Sequence, residues 1–155
     1  MDPQVTVNVN TSSAPNYSAP TTPANKLPTS RSFIKTVLLS LITLGIYGIY
    51  VYAKIGEEVN MICSKNDGKK TMNYWLLFFI IGPLTFGIGY IVWQHKISNR
   101  IGNELKRRNI SYNFSAGSFW LWNVLGSLIV IGPLVYLHKF FKASNLMNES
   151  YNKIG

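Results

Sequence analysis

Apolar residues along the chain fall into three blocks, Phe33–Ala53, Tyr74–His95 and Phe119–His138, separated by short polar stretches. Each block holds about twenty residues with few charges, and at ~1.5 Å rise per residue a helix of that length matches the ~30 Å hydrocarbon core of a bilayer. A chain of 155 residues is too small to enclose three helices that are apolar on every side. The pattern therefore predicts an all-α integral membrane protein with three apolar helical segments. Past each block the pattern changes. Ile55, Val59 and Ile62, then Ile97, Ile101 and Leu105, then Phe140, Phe141 and Met147 recur at helical spacing. Each apolar segment is thus expected to run on into an amphipathic helical extension, lying along headgroups or packed on a neighbour.

The blocks also echo one another. Thr43-Leu-Gly-Ile leads to Lys54, Thr85-Phe-Gly-Ile leads to Lys96, and a looser third copy leads from Leu128 to Lys139, at offsets of 42 and 43 residues between the lysines. This suggests a threefold internal repeat. Each block contains helix-bending or close-packing residues: Gly45 with Gly48, Gly82-Pro83 followed by Gly87, and Gly132-Pro133. Two topologies satisfy the pattern. Three kinked crossings are favoured, because irregular backbone at membrane depth needs shielding. Re-entrant helical hairpins are the alternative. If every block crosses, eight of the 15 basic residues lie on one side and seven on the other, which gives no orientation by the positive-inside rule. Hairpins would instead leave every basic linker on one face.

Residues 1–30 hold five of the seven prolines among Ser, Thr and Asn, and are expected to form a disordered tail. The tail lacks the basic start and apolar stretch of a secretory signal peptide, so the first apolar block is expected to direct insertion. The membrane domain is expected over 31–150, with a short C-terminal tail at 151–155.

Composition narrows the chemistry. Charged residues are only 14% and the net charge is +9, with the cations bordering apolar blocks rather than forming a separate basic face. The expected partners are the lipid bilayer, through anionic headgroups, and a second copy of the chain; nucleic acid is not expected. No Asp or Glu lies within a block, which argues against a proton relay. No nucleophile elbow, phosphate loop or zinc-protease motif occurs, and no cofactor, metal site or catalytic residue is expected. The candidate packing and interface residues are the glycines and prolines above together with Tyr47, Trp93, Trp120, Asn123, His95-Lys96 and His138-Lys139. Aromatic rings and lysines at block ends suit the lipid interface. Asn123, an amide within an apolar block, is expected to bond to another helix.

The strings Thr43-Leu-Gly-Ile-Tyr47, Thr85-Phe-Gly-Ile, Val92-Trp-Gln-His-Lys-Ile-Ser-Asn-Arg-Ile-Gly-Asn-Glu-Leu105 and Phe119-Trp-Leu-Trp-Asn-Val-Leu-Gly-Ser127 with Gly132-Pro133 resemble a bacterial membrane family of unknown function, DUF4234, over about residues 30–150. The resemblance implies a location in the bacterial cytoplasmic (inner) membrane and carries over no catalytic or binding residue. The expected function is a non-enzymatic structural, adaptor or regulatory membrane protein. The alternatives are a small transporter or pore-forming subunit and, less favoured, a lipid-acting enzyme.

Overall fold

The computed structural model describes residues 23–155, and these are helical without strands. The apolar blocks do not form three continuous helices. A tight turn cuts each one into a short arm and a long arm. The first hairpin is α1 (Phe33–Ile42) and α2 (Ile46–Asp67). The second is α3 (74–84) and α4 (Ile88–Arg107). The third is α5 (116–128) and α6 (Ile131–Ile154). Both α3 and α5 contain π-helical turns, Leu77–Ile81 and Phe119–Val124. The wide turn in α3 adjoins Pro83, whose ring and missing N–H forbid a regular bond at that point.

The arms fold back on each other. The Tyr90 hydroxyl donates to the Phe78 carbonyl at 3.2 Å across twelve residues, a separation that would be ~18 Å along one helix. The Phe119 and Tyr136 rings meet at 5.5 Å. The favoured expectation of kinked but continuous segments is therefore corrected: among the described residues no helix is long and apolar enough to cross a membrane. Nor do Gly82-Pro83 and Gly132-Pro133 mark the breaks themselves. Gly82-Pro83 lies in the last turn of α3, before the bend, and Gly132-Pro133 lies in the first turn of α6, where proline costs no helix bond.

The first two turns are near copies. Leu44 and Phe86 both take φ of 51°, and Gly45 and Gly87 follow at 92° and 89°. Left-handed backbone suits glycine but strains leucine and phenylalanine, so something must hold these turns. The preceding threonine does. The Thr43 hydroxyl donates to the Leu39 carbonyl at 2.7 Å and accepts from the Tyr47 N–H at 3.0 Å. The Thr85 hydroxyl donates to the Ile81 carbonyl at 2.6 Å and accepts from the Gly89 N–H at 2.9 Å. One hydroxyl thus satisfies a carbonyl ending one arm and an amide starting the next. The third turn works differently. Gly132 packs directly on the Gly126 carbonyl, and a side chain at Gly132 would collide with it.

The long arms run parallel. Near the turns, Tyr136 of α6 donates to Gln94 of α4 at 2.9 Å, and Tyr52 of α2 stacks near Trp93 and Phe140. Further along, Cys63 of α2 approaches the Arg100 carbonyl of α4 at 3.9 Å and Met147 of α6 at 4.0 Å. At the far end Arg108, just after α4, reaches Ser150 at 3.2 Å, and Lys65 of α2 lies over the Tyr151 ring. Starts meet starts and ends meet ends, so the three turns share one end of the molecule. Between them sits the core: Ile55, Val59, Ile62, Ile97, Ile101, Leu105, Phe140 and Met147 are fully buried, as the amphipathic spacing predicts.

The short arms start from the opposite direction, each with a side-chain cap. Ser32, Asn73 and Ser115 accept from the backbone N–H groups of Lys35, Trp75 and Gly117. Two tail boundaries change. Residues 1–22 of the expected disordered tail lie outside the described residues. The remainder is bound: Asn152 pairs with both backbone groups of Leu27, Asn148 donates to the Pro28 carbonyl, and Asn145 pairs with both backbone groups of Arg31. At the other terminus α6 continues to Ile154 and Tyr151 is buried, so 151–155 is not a separate tail.

Candidate functional site

The shared turn end is apolar and uncovered. Leu44 is 94% exposed, Phe86 97% and Val130 84%, and Leu41, Ile42, Leu84, Leu128 and Ile129 surround them. Single exposed apolar residues are ordinary, whereas a cluster of this kind marks a contact surface. Its extent along the bundle is marked by three lysines. Lys54, Lys96 and Lys139 each follow the turn residue of their hairpin (Gly45, Gly87, Val130) by nine positions. Nine residues of helix rise ~14 Å. Three lysines therefore stand at one level, ~14 Å from the turns.

The other candidate residues sort by what they touch. Gly48 lies against Ser40, where an added Cβ would come within 2.9 Å of its hydroxyl, and Gly82 lies against the Tyr90 ring. Both lie where a short arm packs on its long arm. Tyr47 is half-buried beside Tyr50. Trp93, expected at the lipid interface, is instead buried: its indole N–H donates to the Met72 carbonyl at 2.8 Å and its ring meets Tyr74 edge-on at 4.7 Å. The exposed Trp120 donates to His95 Nδ1 at 3.0 Å, which leaves the His95 proton on Nε2. His138 meets Phe33 edge-on at 6.0 Å. Asn123, expected to bond another helix, has no side-chain hydrogen bond among the described residues; Asn60, Asn145, Asn148 and Asn152 tie the elements together instead.

Below the lysines the polarity inverts. Arg100 is only 7% exposed. Its guanidinium donates to Asp67, Asn60, Thr71, Ser64 and the Lys69 carbonyl, fastening the linker after α2 onto α4. Glu104 is buried beside Arg107 and Arg108. Burial opposes ionisation of both Asp67 and Glu104, but their arginine partners more than offset it and hold both carboxyls below the ordinary range. Arg31 forms a two-pronged pair with Glu58, which also accepts from Asn148 at 2.7 Å. Cys63 is buried against Met147, and loss of solvent pushes its thiol up to about 12.

The sequence signal for the turns was the threonine placed two residues before glycine in both good copies; it is the feature that names the bend. Arg100 gave no such signal, because the spacing of apolar residues on α4 does not reveal which polar side a linker will cover.

Residues 31–103 match the family described as Domain of unknown function (DUF4234). The match takes in the first hairpin and most of the second and ends before the third, which is narrower than the resemblance read from the motifs. No curated protein matches the chain, and no solved structure does.

Proposed function

We propose, for a chain whose residues 31–103 belong to the DUF4234 family, a protein held in one leaflet by three re-entrant hairpins, with its polar-cored bundle on one aqueous side. We read the hairpins as three copies of one unit, the first two close and the third diverged at its turn. The observation that carries this reading is the common apolar end: Leu44, Phe86 and Val130, one from each hairpin, are uncovered together. Burying a large apolar side chain is favourable by about 1.5–3 kcal/mol, and lipid is the solvent that would cover all three at once.

The depth supports it. Turns ~14 Å beyond the lysines end near the bilayer midplane, and the lysines reach phosphates. The reading also accounts for the even division of basic residues, since all the linkers then lie on one face. Arms of this reach do not favour a through-pore made by one copy. The role that follows is that of a membrane-anchored structural or adaptor protein, not an enzyme, at the bacterial cytoplasmic membrane, with room for self-association through the exposed apolar faces of the arms, such as Ile34, Leu38, Phe79 and Ile80.

Vesicle flotation tests it. The full chain is expected to float with phosphatidylcholine vesicles and to resist a high-salt wash. A triple variant, Leu44→Asp, Phe86→Asp and Val130→Asp, is expected to stay at the bottom while keeping its helical circular dichroism in detergent. Flotation of the triple variant equal to that of the parent would overturn the reading.

A further inference from the structure

Two cavities meet at the second hairpin. One is an apolar groove of about 400 Å³ between α3 and α4, lined by Leu77, Ile81, Ile88 and Val92 and running toward Thr85 at the turn. The other is a polar hollow of about 430 Å³ lined by Lys69, His95, Asn99 and Asn103. They share Lys70, Thr71 and Lys96 at their junction. From Lys96 to Thr85 is eleven residues, or ~16 Å of helix, close to the ~15 Å thickness of one layer of acyl chains. The apolar half points toward the membrane interior and the polar half toward water, the same polarity as a phospholipid in that leaflet.

Charge narrows the occupant. Among the described residues neither Lys70 nor Lys96 has a carboxylate partner, whereas Lys54, its counterpart on the first hairpin, is paired with Glu57. The one acid lining the hollow, Asp67, is already held by Arg100. The hollow therefore presents uncompensated positive charge where a phosphate would sit. His95 adds an N–H donor, since Trp120 occupies its other nitrogen. Asn99 and Asn103, one helical turn apart, offer amides to headgroup hydroxyls.

We infer that the second hairpin is a binding site for one anionic glycerophospholipid, with an acyl chain in the α3–α4 groove, its phosphate between Lys70 and Lys96, and its headgroup against Asn99 and Asn103. This rests on the leaflet-embedded reading and adds a specific ligand to it. The first hairpin also has a groove that meets a hollow, at Thr36, but two of the three cations lining that hollow are neutralised, Arg31 by Glu58 and Lys54 by Glu57.

Native mass spectrometry of the detergent-released full chain, with added phosphatidylglycerol or phosphatidylcholine of equal chain length, tests the inference. The parent is expected to retain one phosphatidylglycerol in preference to phosphatidylcholine. Lys70→Gln with Lys96→Gln is expected to lower that retention about thirtyfold, from two cations near a phosphate. Val92→Trp, which fills the groove without changing charge, is expected to lower retention of both lipids. Lys139→Gln with Lys142→Gln, on the third hairpin, is expected to leave it unchanged. Parent-like retention in the Lys70/Lys96 variant would overturn the site. So would displacement of the lipid by glycerol phosphate alone at the same concentration, which would make the hollow a phosphate site without an acyl requirement. Flotation separates the two readings. Parent protein that floats without selecting phosphatidylglycerol defeats the lipid site alone, and parent protein that fails to float defeats the leaflet reading.

Discussion

The two ends of this molecule follow opposite rules. At the bundle end, charge is inside: Arg100, Glu104 and Glu58 are buried and each is fully engaged by partners. At the turn end, oil is outside: Leu44, Phe86 and Val130 are left uncovered. Water rewards the first arrangement only because every buried charge is paired. It penalises the second at every residue. The contrast teaches that one long helix can carry two opposite patterns of burial, with the change of rule falling near a lysine. The short arms stop near that level; above it each long arm packs on its own short arm as well as on the other long arms, as Tyr136–Gln94 and Tyr52–Trp93 do, and below it the three long arms pack on each other.

The largest expected effect lies at the bundle end. Arg100→Ala removes the guanidinium that bonds Asn60, Ser64, Asp67, Thr71 and the Lys69 carbonyl, unties the linker, and is expected to cost about 3 kcal/mol or more, at ~1.5–3 kcal/mol for a hydrogen bond to a charged group, in reversible unfolding followed in detergent. Flotation by the surviving folded fraction should be unchanged. A variant that lost flotation but not stability would erase the distinction between the ends.

A smaller effect is expected at the third turn. Gly132→Leu forces a side chain into the Gly126 backbone and is expected to cost about 1–3 kcal/mol or more, as overpacking does. Trypsin cleavage near Lys139 should quicken if the hairpin splays. The first and second turns give a finer comparison. Thr43→Val and Thr85→Val each remove one hydroxyl that makes two hydrogen bonds, and each should cost about 0.5–1.5 kcal/mol per bond. Equal costs, measured by thermal unfolding, would mark the turns as equivalent units; clearly unequal costs would break the repeat.

The smallest effect is set by pH. The carboxyls of Asp67 and Glu104 are lowered in the folded chain. Their contribution is therefore complete above the ordinary carboxylate range near pH ~4 and is lost as pH falls through their folded values. The midpoint of thermal unfolding should hold steady from neutral pH down to that range and then drop. The Asp67→Asn variant should show a shallower drop.

Much of this was legible in the residues. The apolar blocks, the amphipathic extensions, the lysine endings and the Thr43/Thr85 recurrence are visible without coordinates. That each block returns at its bend rather than running on was not, because twenty apolar residues look alike whether they run straight or return. What decides is how the backbone groups at the bend are satisfied, and that depends on a hydroxyl within reach of two chain segments. Trp93 was misplaced for a related reason. Its amphipathic ring suits an interface, but the Met72 carbonyl offers its N–H a partner inside the fold. Asn123 looked like interhelical glue by its rarity in an apolar block; the gluing asparagines sit on the bundle end, where they resembled ordinary surface residues. The strap formed by residues 27–31 was hidden by a composition that reads as unstructured.

The most direct test of the hairpin account is accessibility of single cysteines in intact cells. Cys63 is buried and its thiol is held protonated, so the native background should be low. Cysteines placed at Lys69, Ser111 and Asn152 are each expected to react with a membrane-permeant maleimide and to be shielded, all three alike, from an impermeant one. Reaction of Ser111 from the face opposite to Lys69 and Asn152 would mean that the chain crosses the bilayer between them, and the three-hairpin account would be wrong.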